Sequence, residues 1–147
     1  MFDITQLPPE QQLDFWLGDW DVSWGDNQHG TNRVVRILNG RVIQENFSGS
    51  PTIDFWGMSL SVYSSKLGRW QQTWADSEGS YWHFLGGVEG NQMILTTNDT
   101  AEGQPIMLRM VFYNIKQNEL DWRWERSDDG SQTWKERWRI HYRRKGK

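Results

Sequence analysis

Leu120 to Tyr142 reads LDWRWERSDDGSQTWKERWRIHY, and this stretch decides the fold. Its first part alternates: Leu120, Trp122 and Trp124 are apolar, whereas Asp121, Arg123 and Glu125 are charged. In a strand, successive side chains point to opposite faces, so this pattern predicts one dry face and one wet face. The second part does the same, with Trp134, Trp138, Ile140 and Tyr142 set against Lys135, Arg137, Arg139 and His141. Between the two lies Asp129-Gly130. This pair is a strong hairpin signal, because Gly tolerates positive φ and Asp bonds nearby backbone amides.

The connecting SDDGSQTW, Ser127 to Trp134, also resembles the Asp-box S-x-D-x-G-x-T-W of sialidases and related carbohydrate-active proteins. Ser131 stands where that pattern has its Gly, and there is one copy. We read it as a turn. Ser127 and Asp129 tie it, Trp134 packs beneath it, and the hairpin register carries Trp122, Trp124 and Trp138 to the interior.

Working outward, the same alternation recurs in Trp70, Gln72 and Trp74, and again in Trp20, Val22 and Trp24. Turn-rich clusters recur near Gly25–Gly30, Asn39-Gly40, Gly49–Thr52, Lys66–Gly68, Asp76–Gly79, Gly86–Gly90, Asn98–Gly103, Asn114–Asn118 and Ser127–Ser131. Short strands with turns at such regular spacing indicate an all-β meander. Dry faces that must meet are best served by a closed antiparallel barrel, which leaves no open edge. We expect about ten strands in one domain, residues 1–147. The front differs. Pro8 to Leu17 reads as one short helix, with prolines in the first turn and Gly18 as the stop. Its stripe of Leu13, Trp16 and Leu17 suits a cap over one barrel mouth.

The formal net charge of -3 favours neither nucleic acid nor an anionic membrane. The basic tail Arg143, Arg144, Lys145 and Lys147 reads as a solvated end. The N-terminus lacks the basic start and apolar run of a signal peptide, and no stretch has the length of a membrane span. With no cysteine, there is no disulfide, no thiolate metal site and no Cys nucleophile, which suits a cytoplasmic setting. Eleven tryptophans are the conspicuous excess. Each buries about 150–250 Å², more than a domain of this size needs for stability alone, so some are expected to line a space.

Gly18-Asp19-Trp20 resembles the G-x-W signature of lipocalins, in which an Arg near the end of the last strand stacks on the Trp. Here Arg139 or Arg143 is expected in that role. The wider opening, Asp14-Phe15-Trp16-Leu17-Gly18-Asp19-Trp20-Asp21-Val22, resembles a family of small, mostly bacterial lipocalin-like proteins without an assigned activity. The pattern continues through Gly40, Glu45, Gly57, Ser59, Tyr63, Trp70, Gln72, Trp74 and Asp76 to Ser127, Asp129, Gly130, Thr133 and Trp134. The resemblance implies a calycin-type barrel with an interior pocket.

The polar candidates for inward faces are Glu45, between Ile43 and Phe47; Gln72; Glu136, between Trp134 and Trp138; and Arg109. Both faces of Ile106–Tyr113 are apolar, which leaves the direction of Arg109 open. An inward carboxylate is costly unless paired. Either these groups pair internally, or they orient a ligand among aromatic walls. The ligand-binding candidates are Glu45, Trp70, Gln72, Trp74, Arg109, Trp122, Trp124 and Trp138. Gly57, Ser59 and Ser61 would leave room if they face inward.

His29, His83 and His141 show no metal-ligand spacing, so no metal or other cofactor is expected. Pro51-Thr52-Ile53 echoes nitrobindin-like haem barrels, but His141 falls on the charged face. No nucleophile motif or phosphate loop is present. The leading reading is a binding module for a small apolar or aromatic ligand. The second is a pocket enzyme of isomerase or cyclase type using Glu45 or His83. The third is a packed barrel acting through its surface as a homodimer.

Overall fold

The computed structural model describes residues 3–147. It contains ten strands: β1 (Gly18–Trp24), β2 (Gln28–Ile37), β3 (Val42–Ser48), β4 (Trp56–Ser64), β5 (Arg69–Asp76), β6 (Tyr81–Glu89), β7 (Gln92–Ala101), β8 (Gln104–Tyr113), β9 (Glu119–Ser127) and β10 (Lys135–Arg144). Every strand pairs antiparallel with its chain neighbours, and β1 pairs with β10, so the meander closes into a barrel. The expected all-β barrel is therefore the observed one. No helix among the described residues is long and apolar enough to cross a membrane.

Alternation assigns the faces. Trp20 and Val22 of β1, Ile43 and Phe47 of β3, Trp70 of β5, Leu120 of β9, and Ile140 and Tyr142 of β10 are all buried in one core. Registers follow from this: Trp122 stands opposite Phe112 on one side and Ile140 on the other. Gly86, read from sequence as part of a turn, lies inside β6 opposite Leu95. A Cβ there would come within 1.9 Å of the Ile94 carbonyl oxygen, so this strand crossing needs Gly.

One hairpin departs from simple alternation. Glu136 pairs with Glu125, yet Trp138 pairs with Trp124. Two steps on β10 against one on β9 make a β-bulge, which shifts the faces by one residue. Trp138, Ile140 and Tyr142 face inward as expected, but Trp134 and Glu136 lie outside. Glu136 bonds Arg139 at the surface. Trp134 lies under the Arg109 guanidinium, 4.0 Å from ring centroid to Cζ. Glu125 is outward but not wet. It is buried between Arg109 (2.7 Å) and Arg123 (3.0 Å).

The N-terminal segment is three single 3-10 turns, Ile4–Gln6, Pro9–Gln11 and Asp14–Trp16, in place of one helix over Pro8–Leu17. Its backbone bonds close single turns, with Gln12 N donating to Pro9 O and Leu17 N to Asp14 O, and side chains of the barrel bond to further carbonyls. Trp70 Nε1 donates to Pro9 O, Trp20 Nε1 to Trp16 O, and Arg144 to Leu17 O and Phe15 O. Broken into single turns, the segment buries Leu13, Phe15 and Trp16 together, and it closes one barrel mouth as anticipated. The arginine that stacks on Trp20 is Arg144, 4.3 Å from the ring centroid. Neither Arg139 nor Arg143 does so, because both project outward from β10.

Candidate binding site

The mouth opposite the 3-10 turns is open and leads into a cavity of about 280 Å³. Its walls come from six parts of the chain. β3 brings Phe47, the loop after it Phe55, β5 Trp74, β6 Trp82 and Phe84, β9 Trp122 and Trp124, and β10 Trp138. The indoles brace one another. Trp122 and Trp124 are parallel, 2° between planes, with centroids 6.4 Å apart. Trp82 lies 5.3 Å from Trp124, and Trp138 stands edge-on to Trp122 at 6.0 Å. Trp74 Nε1 donates to Asp76 (2.9 Å) and Trp82 Nε1 to Asp99 (3.2 Å), which ties two of the rings at the rim. Trp74 has its place because Gly57 faces it; a Cβ on Gly57 would come within 2.1 Å of the indole.

The floor is polar. Glu45 on β3 accepts hydrogen bonds from Ser59 Oγ and Asn32 Nδ2, both at 2.7 Å, and Asn32 also donates to the Tyr142 hydroxyl at 2.9 Å. Small residues on β4 make this possible, since Ser59 stands directly opposite Glu45. Among the described residues no cation pairs with this carboxylate, in contrast to Glu125 with its two arginines. Burial therefore pushes the Glu45 pKa up to about 7, against the opposing pull of the hydrogen bonds from Ser59 and Asn32. Burial, and then the neighbouring Glu45 charge, also hold the Tyr142 phenol above its ordinary range. Trp16 joins the floor from the last 3-10 turn. Its Nε1 is buried without a hydrogen-bond partner of normal geometry, and it exerts only a minor pull on the Tyr142 hydroxyl. Asn32 Oδ1 and Gln72 Oε1 are buried and unpartnered as well. Such groups cost about 1–3 kcal/mol each unless something meets them.

Of the residues singled out from sequence, Glu45, Trp74, Trp122, Trp124 and Trp138 meet around the cavity. Trp70 faces inward but sits at the closed end, bonded to Pro9 and edge-on to Tyr63. Gln72 faces inward and donates to Ser61, away from the cavity lining. Arg109 is not a pocket residue, because its register opposite Glu125 puts it on the outer surface. His83 is exposed on the outside of β6, beside Gln71, and so lies outside the proposed chemistry. His141 is also outside, 2.7 Å from Asp121.

Sequence reasoning missed Trp82 and Phe84, because Tyr81–Leu85 is apolar on both faces. It missed Phe47, Ile140 and Tyr142 as lining, although alternation placed all three inward. Trp16 was read as cap and not as floor. Elsewhere, Trp56, Met58 and Leu60 form an exposed apolar row on the outer face of β4.

Fold and site together define a class: a ten-stranded antiparallel barrel, plugged at one end, with an aromatic pocket floored by an unpaired carboxyl. Compared with protein-family models and with curated proteins, the chain matches none of them.

Proposed function

We propose that this barrel binds a small, flat, apolar or aromatic molecule in the pocket between Trp74, Trp82, Trp122, Trp124 and Trp138. The observation that carries this reading is an open cavity with aromatic walls and a few polar groups at its floor and rim, which is the usual composition of a ligand site. The cavity, about 280 Å³, lies just below the usual range of about 300–1,000 Å³. That size favours one or two fused rings over a tetrapyrrole or a long fatty acid. The motif resemblance to lipocalin-like proteins points the same way, since it implies an interior pocket. Tryptophan fluorescence of the purified protein against fatty acids, retinoids, tetrapyrroles, flavonoids and small bicyclic aromatics tests the reading. Saturable quenching by small aromatics is the expected result. No response to any of them, with Trp124→Phe equally silent, would refute it.

Glu45 favours a second reading. A carboxyl beside a cavity with a pKa of about 7 suits a general acid or base, as an isomerase or cyclase requires. The test is a split between the two properties. Glu45→Gln would keep ligand affinity and lose turnover if the pocket catalyses proton transfer.

A further inference from the structure

We propose that the occupant of this pocket is an organic cation: a flat ring system bearing a protonated amine or a cationic ring nitrogen, held against Glu45 between tryptophan faces. The inference rests on the pocket being a binding site, and it adds the charge of what binds there.

Three independent features converge on it. The first is the sign of the lining. Glu45 lies on the floor and Asp76 and Glu78 at the rim, and among the described residues no Lys, Arg or His lines the cavity. The guanidinium groups of Arg109 and Arg123 are spent outside the barrel on Glu125, and that of Arg144 is spent at the plugged end.

The second is the unmet charge of Glu45. Its oxygens receive one neutral donor each, from Ser59 and Asn32. An ionised carboxylate has room for further donors, and a buried one without a cation is expensive. A cationic N–H, or a positive ring edge, supplies the missing counter-charge. A neutral hydrocarbon ring would instead leave the carboxylate uncompensated, and an anionic ligand would add a second negative charge beside it.

The third is the walls. Indole faces attract cations through the ring quadrupole, most strongly where water is excluded. The parallel Trp122–Trp124 pair and the tilted Trp82 line the same cavity as Glu45. Trp16 Nε1, near the Tyr142 hydroxyl and without a hydrogen bond of normal geometry, adds one donor for an acceptor atom on the same ring system.

Cation binding must then compete with protonation of Glu45. The other groups facing it are Asn32, Ser59 and Tyr142, with Asp76 and Glu78 farther out, and Tyr142 stays neutral throughout the relevant range. The folded carboxyl titrates near 7, so the binding form is depleted below that pH.

The test uses three probes of nearly one shape: N-methylquinolinium, methylnaphthalene and naphthoate, titrated into the intact protein by fluorescence and calorimetry. N-methylquinolinium carries a fixed charge, so any pH dependence belongs to the protein. It should bind at least ten times more tightly than methylnaphthalene, and naphthoate should bind least. Raising the pH from about 5.5 to about 8 should strengthen cation binding roughly tenfold or more and leave methylnaphthalene unchanged. Glu45→Gln should remove both the preference and the pH dependence, and the outer-surface Glu136→Gln should alter neither. If methylnaphthalene or naphthoate binds as well as the cation, or if cation binding is independent of pH in the wild-type protein, the charge assignment is overturned and the pocket reading stands. If none of the three binds, both fail together.

Discussion

Glu45 shows how one side chain links folding to pH. Its pKa is raised from 4.5 to about 7 on folding, so the folded state holds its proton more tightly than the unfolded one. The sign follows: the associated stability is fully present below 4.5 and is lost as pH rises through about 7. The difference corresponds to about 3 kcal/mol at most. Chemical denaturation of the wild-type protein should therefore show stability falling between the two pH values. Glu45→Gln should flatten that slope and be the more stable of the two above pH 7, since its amide keeps hydrogen bonds to Ser59 and Asn32 without a buried charge. At the other end of the barrel, Arg144 holds Leu17 O, Phe15 O and Gln117 O while stacking on Trp20. Arg144→Lys keeps the charge but loses the planar fork and the stacking. We expect a loss of about 1–2 kcal/mol in the same denaturation assay.

At the scale of elements, the β9–β10 hairpin depends on its turn and its bulge. Asp129 accepts from Thr133 Oγ1 (2.5 Å), Thr133 N (2.9 Å) and Ser127 Oγ (2.8 Å). These bonds, led by the one from the Thr133 side chain, hold its pKa down to about 2. A depressed carboxyl contributes stability above its unfolded value of 3.8, and that contribution fades as pH falls toward 2. Asp129→Ala should thus lower the melting temperature at neutral pH, and the gap from wild type should close in acid. The bulge is a separate matter. Deleting Arg137 removes the extra residue and leaves Glu136 opposite Glu125, still outward, so the ladder becomes regular and neither side of it changes face. The deletion should therefore keep the β-type circular dichroism and the tryptophan emission, with at most a small change in denaturation midpoint. The Asp-box likeness of this loop is accounted for by these turn bonds.

For the whole molecule, closure is what makes a pocket. The sheet has no free edge, and the 3-10 turns plug one mouth with Leu13, Phe15 and Trp16. Each of these side chains contributes about 1.5–3 kcal/mol through burial. Removing residues 1–17 would expose Phe112 and Trp20, which pack against Phe15 and Trp16. Such a variant should melt at a markedly lower temperature and bind a hydrophobic dye such as anilinonaphthalenesulfonate, and ligand quenching should disappear with the floor.

The amino-acid sequence by itself determined the architecture. Period-two alternation in Leu120–Glu125, Trp70–Trp74 and Trp20–Trp24, punctuated by Asn-Gly and Asp-Gly turns, specifies ten strands with one dry face each. It also determined the inward direction of Glu45, because Ile43 and Phe47 flank it at the same parity. Both are local properties, readable within a few residues. Tertiary structure decided the rest. The strands Tyr81–Leu85 and Ile106–Tyr113 are apolar on both faces, so only pairing with β5, β7 and β9 sends Trp82 inward and Arg109 outward. The bulge at Glu136 and Trp138 has no compositional mark, yet it moves Trp134 and Glu136 to the surface. The N-terminal turns are docked by side chains distant in sequence, Trp70 and Arg144, which donate to their carbonyls. Whether Glu45 meets a cation was equally beyond local reading. Its neighbours Asn32, Ser59 and Tyr142 come from three other strands, and closing the barrel is what leaves that carboxyl buried without a counter-charge at the bottom of a tryptophan-lined pocket.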